Sequence, residues 1–176
     1  GRSATVFAPC LHQDLCPMGP RPQDWCHEDL AVDLPPWLVP VARGAGLRHE
    51  GLTFSYLVLR QKGPALRELV APATVSPMRL VSQKRRSKGK WEAFVCGELP
   101  GDARLVRIMR LDREARGTAG DEERMARGDV LAIEPPLSPG GGRVAPETIF
   151  TGLTVAGRPA SQNVDHLASP PIGDVL

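Results

Sequence analysis

Three of the chain's four cysteines fall in one short segment, APCLHQDLCPMGPRPQDWCHEDL, residues 8 to 30. Cys10, Cys16 and Cys26 share this segment with four prolines, which exclude a regular helix. Thiolates ligate zinc and iron–sulfur clusters, and bound metal supplies folding free energy to a segment with few apolar side chains. The spacing therefore predicts a metal centre.

The fourth cysteine, Cys96, lies far along the chain in the apolar run AFVCG. Taken alone, it would be interpreted as a small buried hydrophobic residue. Four cysteines are nevertheless the usual ligand set of an iron–sulfur cluster, and the paired Cys-x-x-Cys knuckles of a zinc ribbon are absent from this sequence. A Cys3His zinc site that uses His12 or His27 stays open at this point. No catalytic residue is identified, because no nucleophile elbow or dyad is recognisable.

A basic run, QKRRSKGK, stands out on a chain of 176 residues whose net charge is only +2. A local cluster of cations on a nearly neutral chain indicates contact with a polyanion such as RNA, although a solvated hairpin turn would have the same composition. The candidate RNA-binding residues are Lys84, Arg85, Arg86, Lys88 and Lys90.

High glycine and proline content, 18 of each, predicts short elements. We expect short helices in DLPPWLVPVARGAGL and KGPALRELVAP, and a strand buried on both faces in LTFSYLVLRQ. The runs MRLVSQKRR, GKWEAFVCG and ARLVRIMRL are predicted to form an antiparallel meander, and the charged stretch from 112 to 129 a solvated helix or loop.

The segments just described resemble the Rsm22 family of methyltransferase-like proteins associated with the small, including mitochondrial, ribosomal subunit. The resemblance rests on APCLHQDLCPM, DWCHEDL, HEGLTFSYLVL and KGKWEAFVCG in that order, and it covers roughly Ala8 to Arg110. The sequence departs from the family pattern at Leu11, where proline is usual, and at Glu28, where an aromatic residue is usual.

The resemblance implies the C-terminal part of a Rossmann-like α/β methyltransferase fold with a cysteine-rich metal-binding loop, followed by a small antiparallel β meander or barrel. We expect three parts: residues 1–62 with late Rossmann-like strands and the loop, 63–136 as a β-rich subdomain, and 137–176 as a flexible tail. The implied ligands of a four-iron, four-sulfur (4Fe-4S) cluster are Cys10, Cys16, Cys26 and Cys96.

The function implied is that of an assembly factor that contacts the rRNA and proteins of the small ribosomal subunit. The alternatives are an S-adenosylmethionine-dependent RNA methyltransferase, with that cofactor bound only by a longer protein of which this chain is the C-terminal piece, and a structural zinc module. The sequence lacks an apolar run of the roughly 18 residues needed for a membrane span, so no membrane partner is expected. The Arg- and Ala-rich composition favours the bacterial cytoplasm, with mitochondria as the alternative.

Overall fold

The computed structural model describes residues 4–20, 25–47, 51–99, 104–114, 122–138 and 140–153. Over these residues the chain forms eleven strands and two short helices. Part of the meander's second turn, residues 100–103, and the centre of the charged stretch, residues 115–121, lie outside the described residues, as do residues 154–176 of the expected tail.

The first part of the chain forms two separate antiparallel ribbons. Strand β1 (Thr5–Ala8) pairs with β4 (Val58–Arg60), and β2 (Glu28–Ala31) pairs with β3 (Gly51–Phe54). The helix α1 (Leu38–Gly44) lies between β2 and β3 in sequence. Because β1 ends before the cysteine segment and β2 begins after it, the two ribbons fix both ends of that segment.

The second part forms a seven-stranded sheet, preceded by the short helix α2 (Leu66–Val70). Its strands are β5 (Met78–Leu80), β6 (Arg85–Ser87), β7 (Lys90–Gly97), β8 (Leu105–Leu111), β9 (Val130–Glu134), β10 (Gly142–Arg143) and β11 (Ile149–Leu153). The order is β10-β8-β7-β5-β9-β11. Strand β6 pairs with the first residues of β7, whereas β5 pairs with the last residues of β7. All pairs are antiparallel except β10 with β8. The predicted hairpin through Lys88 and Gly89, and the antiparallel pairing of the two runs that follow, are confirmed.

One face of this sheet encloses the core. Along β7, alternate side chains are buried, namely Trp91, Ala93 and Val95, as expected for a strand with one apolar face. In a flat sheet β7 and β11 would lie roughly 14 Å apart, because neighbouring strands are separated by about 4.8 Å. The rings of Trp91 and Phe150 are only 5.7 Å apart, so the sheet curls around its core.

The Rossmann-like α/β prediction is wrong. A doubly wound sheet has parallel strands joined by crossover segments of a dozen or more residues, usually helical. The pairs observed here are antiparallel apart from β10 with β8, and the described helices have seven and five residues. The chain is therefore mostly β, with antiparallel and mixed sheets.

The run LTFSYLVLRQ was expected to be one strand buried on both faces, and that expectation is also wrong. It is divided between β3 and β4, which belong to different ribbons, with residues 55–57 between them. Leu52 and Leu59 are 55% and 59% exposed. Apolar character alone could not indicate that each half pairs in a separate two-stranded ribbon.

The segment from residue 137, expected to be a flexible tail, instead supplies two strands of the sheet. Strand β11 pairs with β9 along its full length, and Phe150 is completely buried in the core. Strand β10 lies beside β8. The described part of this segment, up to Leu153, is therefore integral to the β-rich subdomain.

Candidate metal centre

The cysteine segment is fixed to the rest of the chain by contacts on both sides. Gln13 bonds both backbone groups of Val6 on β1, at 2.9 and 2.7 Å. Asp14 accepts hydrogen bonds of 2.8 and 3.0 Å from the guanidinium of Arg104, just before β8. The side chain of Leu11 is buried. These contacts place the segment against the sheet.

All four cysteines line one small cavity of about 20 Å³ between this segment and the sheet. A second cavity of about 180 Å³ is lined by Cys10, Cys16 and Cys26 but not by Cys96. Because Pro9, Arg79 and the three segment cysteines line both, the two spaces adjoin. The structure thus brings the four predicted ligands together, although Cys96 is about 70 residues from Cys26 in sequence.

Strand register explains how Cys96 reaches this cavity. Cys96 lies opposite Arg79 in the antiparallel pair of β7 with β5, so both side chains project from the same face of the sheet. The buried residues Val95 and Gly97 on either side of Cys96 belong to the other face. Cys96 therefore faces the cysteine segment, away from the core within the curled sheet.

Arg79 is a residue of this site that sequence reasoning missed. Its side chain is 5% exposed, its Nη1 donates a 3.3 Å hydrogen bond to Sγ of Cys26, and its Nη2 forms an ion pair with Glu28. Buried arginines are rare unless they are paired, and this one lines both cavities. The fixed positive charge offsets part of the negative charge that four thiolates would bring. Its signal was hidden, because Arg79 is one of many arginines in the sequence.

Without a bound cation the cavity disfavours thiolates. Burial first, and then the nearby thiols of Cys10, Cys26 and Cys16, raise the pKa of Cys96 to about 12. The pKa of Cys10 is raised for the same reasons, burial first and then Cys16 and Cys26. Arg79 acts in the opposite direction at both cysteines. These cysteines are electrostatically coupled and become good anionic ligands only when a metal supplies positive charge.

His12 lies beside the site and is almost completely buried. Its Nε2 is 3.6 Å from Sγ of Cys96, and its Nδ1 has no hydrogen-bond partner among the described residues. An N–H group at this distance is placed to donate to the sulfur of Cys96. His27 lines the larger cavity together with Cys10, Cys16 and Cys26. Its ring stacks on Trp25 with centroids 4.7 Å apart, and its Nδ1 is 2.9 Å from the backbone oxygen of Trp25.

The cysteines surround the cavity without meeting at one point. Four thiolates on one tetrahedral zinc ion would have sulfurs within roughly 4 Å of one another, given Zn–S bonds of about 2.3 Å. Within the described parts of the chain, no three His, Cys, Asp or Glu side chains form a group that could hold a single ion. The donor set, four thiols around a common space, has the composition of an iron–sulfur site.

The predicted RNA-binding residues do not form one patch. Strand register places Arg85 opposite Glu92, on the sheet face that also carries Cys96, whereas Arg86 lies opposite Trp91 on the other face. Lys84 lies on the same side of the sheet as Trp91. Its Nζ is 5.9 Å from the centroid of the Trp91 ring and donates a 2.6 Å hydrogen bond to the backbone oxygen of Glu122.

Two further members of the run differ in their contacts. Lys90 forms a 3.2 Å ion pair with Glu92 on the sheet face that carries Cys96, and Lys88 is exposed in the β6–β7 turn. Arg86 is paired with Glu123 at 3.0 Å. The basic run is therefore divided between two faces and a turn.

No protein-family model, curated protein or solved structure was found to match this chain. The resemblance stated from the sequence motifs thus stays a prediction. In the described part of the chain, no helix is long and apolar enough to span a membrane.

Proposed function

We propose that this chain holds a 4Fe-4S cluster on Cys10, Cys16, Cys26 and Cys96, and that the ordered segment contacts RNA of the small ribosomal subunit. The observation that carries the proposal is the convergence of all four cysteines on one cavity. The metal centre would be structural: it would connect the cysteine segment to strand β7 and supply folding free energy to a region with little apolar core.

Three features of the chain support a cluster over a single zinc ion. The ligand set consists of four cysteines, which is the usual set for iron–sulfur clusters. All four side chains line one cavity, and a larger space of about 180 Å³ that three of them line adjoins it. A buried guanidinium donates a hydrogen bond to one ligand sulfur, and hydrogen bonds of this kind help to set the potential of such centres.

The RNA part of the proposal rests on charge near the metal site and on the resemblance. Arg85 and Arg107 lie on the same sheet face as Cys96, and both are exposed. Phosphate contacts by exposed cations position RNA on a protein surface. This makes an RNA-contacting assembly factor the function that best joins the two observations.

The test is anaerobic reconstitution of the protein with iron and sulfide, followed by metal and sulfide analysis and a visible absorption spectrum. We expect about four irons and four sulfides per chain and a broad charge-transfer band. If the protein binds one zinc ion per chain and no iron, the cluster proposal is wrong and the chain is a structural zinc module. Retention of neither metal by the folded protein would overturn the metal proposal altogether.

A further inference from the structure

Strand β7 presents an exposed aromatic side chain between the metal site and the basic residues. Its outward residues are Cys96, Phe94, Glu92 and Lys90, while the residues between them are buried. Phe94 is 39% exposed. A large apolar ring in the middle of an outward sheet face has no role in the core, which lies on the other face.

Cations lie near Phe94 on this face. Phe94 lies opposite Arg107 on β8, and Glu92 lies opposite Arg85 on β6. Glu92 forms an ion pair with Lys90, with 3.2 Å between its Oε2 and Nζ of Lys90. The same oxygen lies 3.8 Å from Nη1 of Arg107. The one carboxylate of Glu92 thus balances only part of the charge of Arg85, Lys90 and Arg107.

Beside Phe94 the sheet and the cysteine segment enclose a pocket of about 90 Å³. Phe94, Trp25, His27 and Arg127 line it, together with Met18 and Leu105. Trp25 is 49% exposed and its ring stacks on His27. Arg127 pairs with Asp29 at 3.1 Å, while its buried Nε makes no hydrogen bond within the described residues. The pocket therefore offers aromatic surfaces from two elements, with the guanidinium of Arg127 in its wall.

We propose that this pocket binds an unpaired base of single-stranded RNA, which stacks on Trp25 or Phe94 while the adjoining phosphates contact Arg107 and Arg85. The inference rests on the proposed RNA contact and names where and how it is made. Aromatic side chains beside cations are the recurring means by which proteins bind single strands, because every base has a stacking face. A base in a duplex could not enter, since its faces are already stacked.

The geometry also links base binding to the metal. Trp25 directly precedes Cys26, and Phe94 is two residues before Cys96 on the same strand face. Both aromatic surfaces of the pocket are thus carried by backbone next to a proposed ligand. Loss of the metal would release the Trp25 side of the pocket, whereas Phe94 would remain on the sheet.

The experiment measures binding of a fluorescently labelled single-stranded RNA of twelve nucleotides to metal-loaded protein at several salt concentrations. Trp25→Ala and Phe94→Ala are each expected to weaken binding roughly 5- to 100-fold, with metal content unchanged. Trp37→Ala is the matched control: Trp37 is 72% exposed, does not line the pocket, and its loss should leave binding unchanged. Arg107→Gln should reduce the salt slope by about 0.7, the loss of one phosphate contact.

Stoichiometric metal with normal RNA binding in both Trp25→Ala and Phe94→Ala would overturn the pocket and leave the RNA-contact proposal standing. Equal affinity of the parent protein for duplex RNA would do the same. If the loaded parent protein binds no RNA, the RNA contact and the pocket both fail, while the metal result stands by itself.

Discussion

The guanidinium of Arg79 lies between two acidic groups, 3.3 Å from Sγ of Cys26 on one side and in an ion pair with Glu28 on the other. Strand β5 thereby joins the cysteine segment to β2 through one buried charge. Glu28 stands at a position where the resembled family usually has an aromatic residue. This chain thus places a carboxylate where it can balance Arg79.

Replacement of Arg79 by Met should lower both stability and metal retention. Removing one partner of a buried ion pair costs about 3–5 kcal/mol, because the remaining charge is left unpaired. The double variant Arg79→Met with Glu28→Gln should recover much of the free energy of unfolding but still lose iron faster to a chelator. Chemical denaturation and timed iron release measure the two effects. Equal iron-release rates in the double variant and the parent protein would deny Arg79 an electrostatic role at the metal.

The Cys96 variants separate a ligand from a packing residue. A cysteine that only packs should tolerate Ala or Val with a loss of about 1 kcal/mol. We expect Cys96→Ser, Cys96→Ala and Cys96→Val all to lose bound iron, as measured by the ratio of iron to protein. Near-normal iron in the Ala and Val variants would leave three cysteines that need His12, His27 or an outside ligand.

The adjacent residues Glu122 and Glu123 form a matched pair for a stability test. Glu122 is buried, accepts a 2.6 Å hydrogen bond from Nε1 of Trp91, and lies 3.1 Å from the buried guanidinium of Arg110. Glu122→Gln leaves that guanidinium without its counter-ion and should cost about 3–5 kcal/mol in unfolding free energy.

Glu123→Gln is the control, since Glu123 is exposed and pairs with Arg86 at the surface. Exposed pairs contribute roughly 0–1 kcal/mol, so this variant should melt with the parent protein. Similar urea midpoints for the two variants would contradict a buried role for Glu122.

Gly141 and Gly140 test whether the segment after residue 137 is folded. Gly141 has φ +65°, and an added Cβ would lie 2.5 Å from the backbone oxygen of Arg107. Gly141→Ala should therefore cost roughly 1–3 kcal/mol, whereas an added Cβ at Gly140 meets nothing within 4 Å. Thermal unfolding of the two variants measures the difference. Equal melting temperatures would mean that β10 contributes little to the fold.

Local patterns in the sequence predicted the elements whose pairing is also local. The β6–β7 hairpin could be predicted because Lys88 and Gly89 allow a tight turn between alternating runs. The order of the strands in the sheet could not be predicted, since β5 pairs with β9, which is some fifty residues away in the sequence. Glu122 and Met125 show the same limit: both are buried although they lie in a stretch that composition indicated to be solvated.

For the candidate site, residue type indicated the candidate ligands, and the three-dimensional structure showed what surrounds them. Cysteine chemistry is local information, so four potential ligands could be named from the sequence. Arg79 and Phe94 depend on strand register, which fixes the face on which a side chain lies. The basic run is likewise divided between the two faces of the sheet and a turn, because the side chains of neighbouring strand residues point to opposite faces.

The position of Cys96 on β7 has a consequence for biosynthesis. A ribosome that adds about 5–20 residues per second needs roughly 4 to 14 s to make the chain between Cys26 and Cys96. For the cluster proposed above, three of the four ligands would wait through that interval for Cys96, and Arg79 would join them only once β5 has emerged. Delivery of iron and sulfide by a carrier would therefore have to follow synthesis of β7, or the carrier would have to protect an incomplete set of cysteines from oxidation until then.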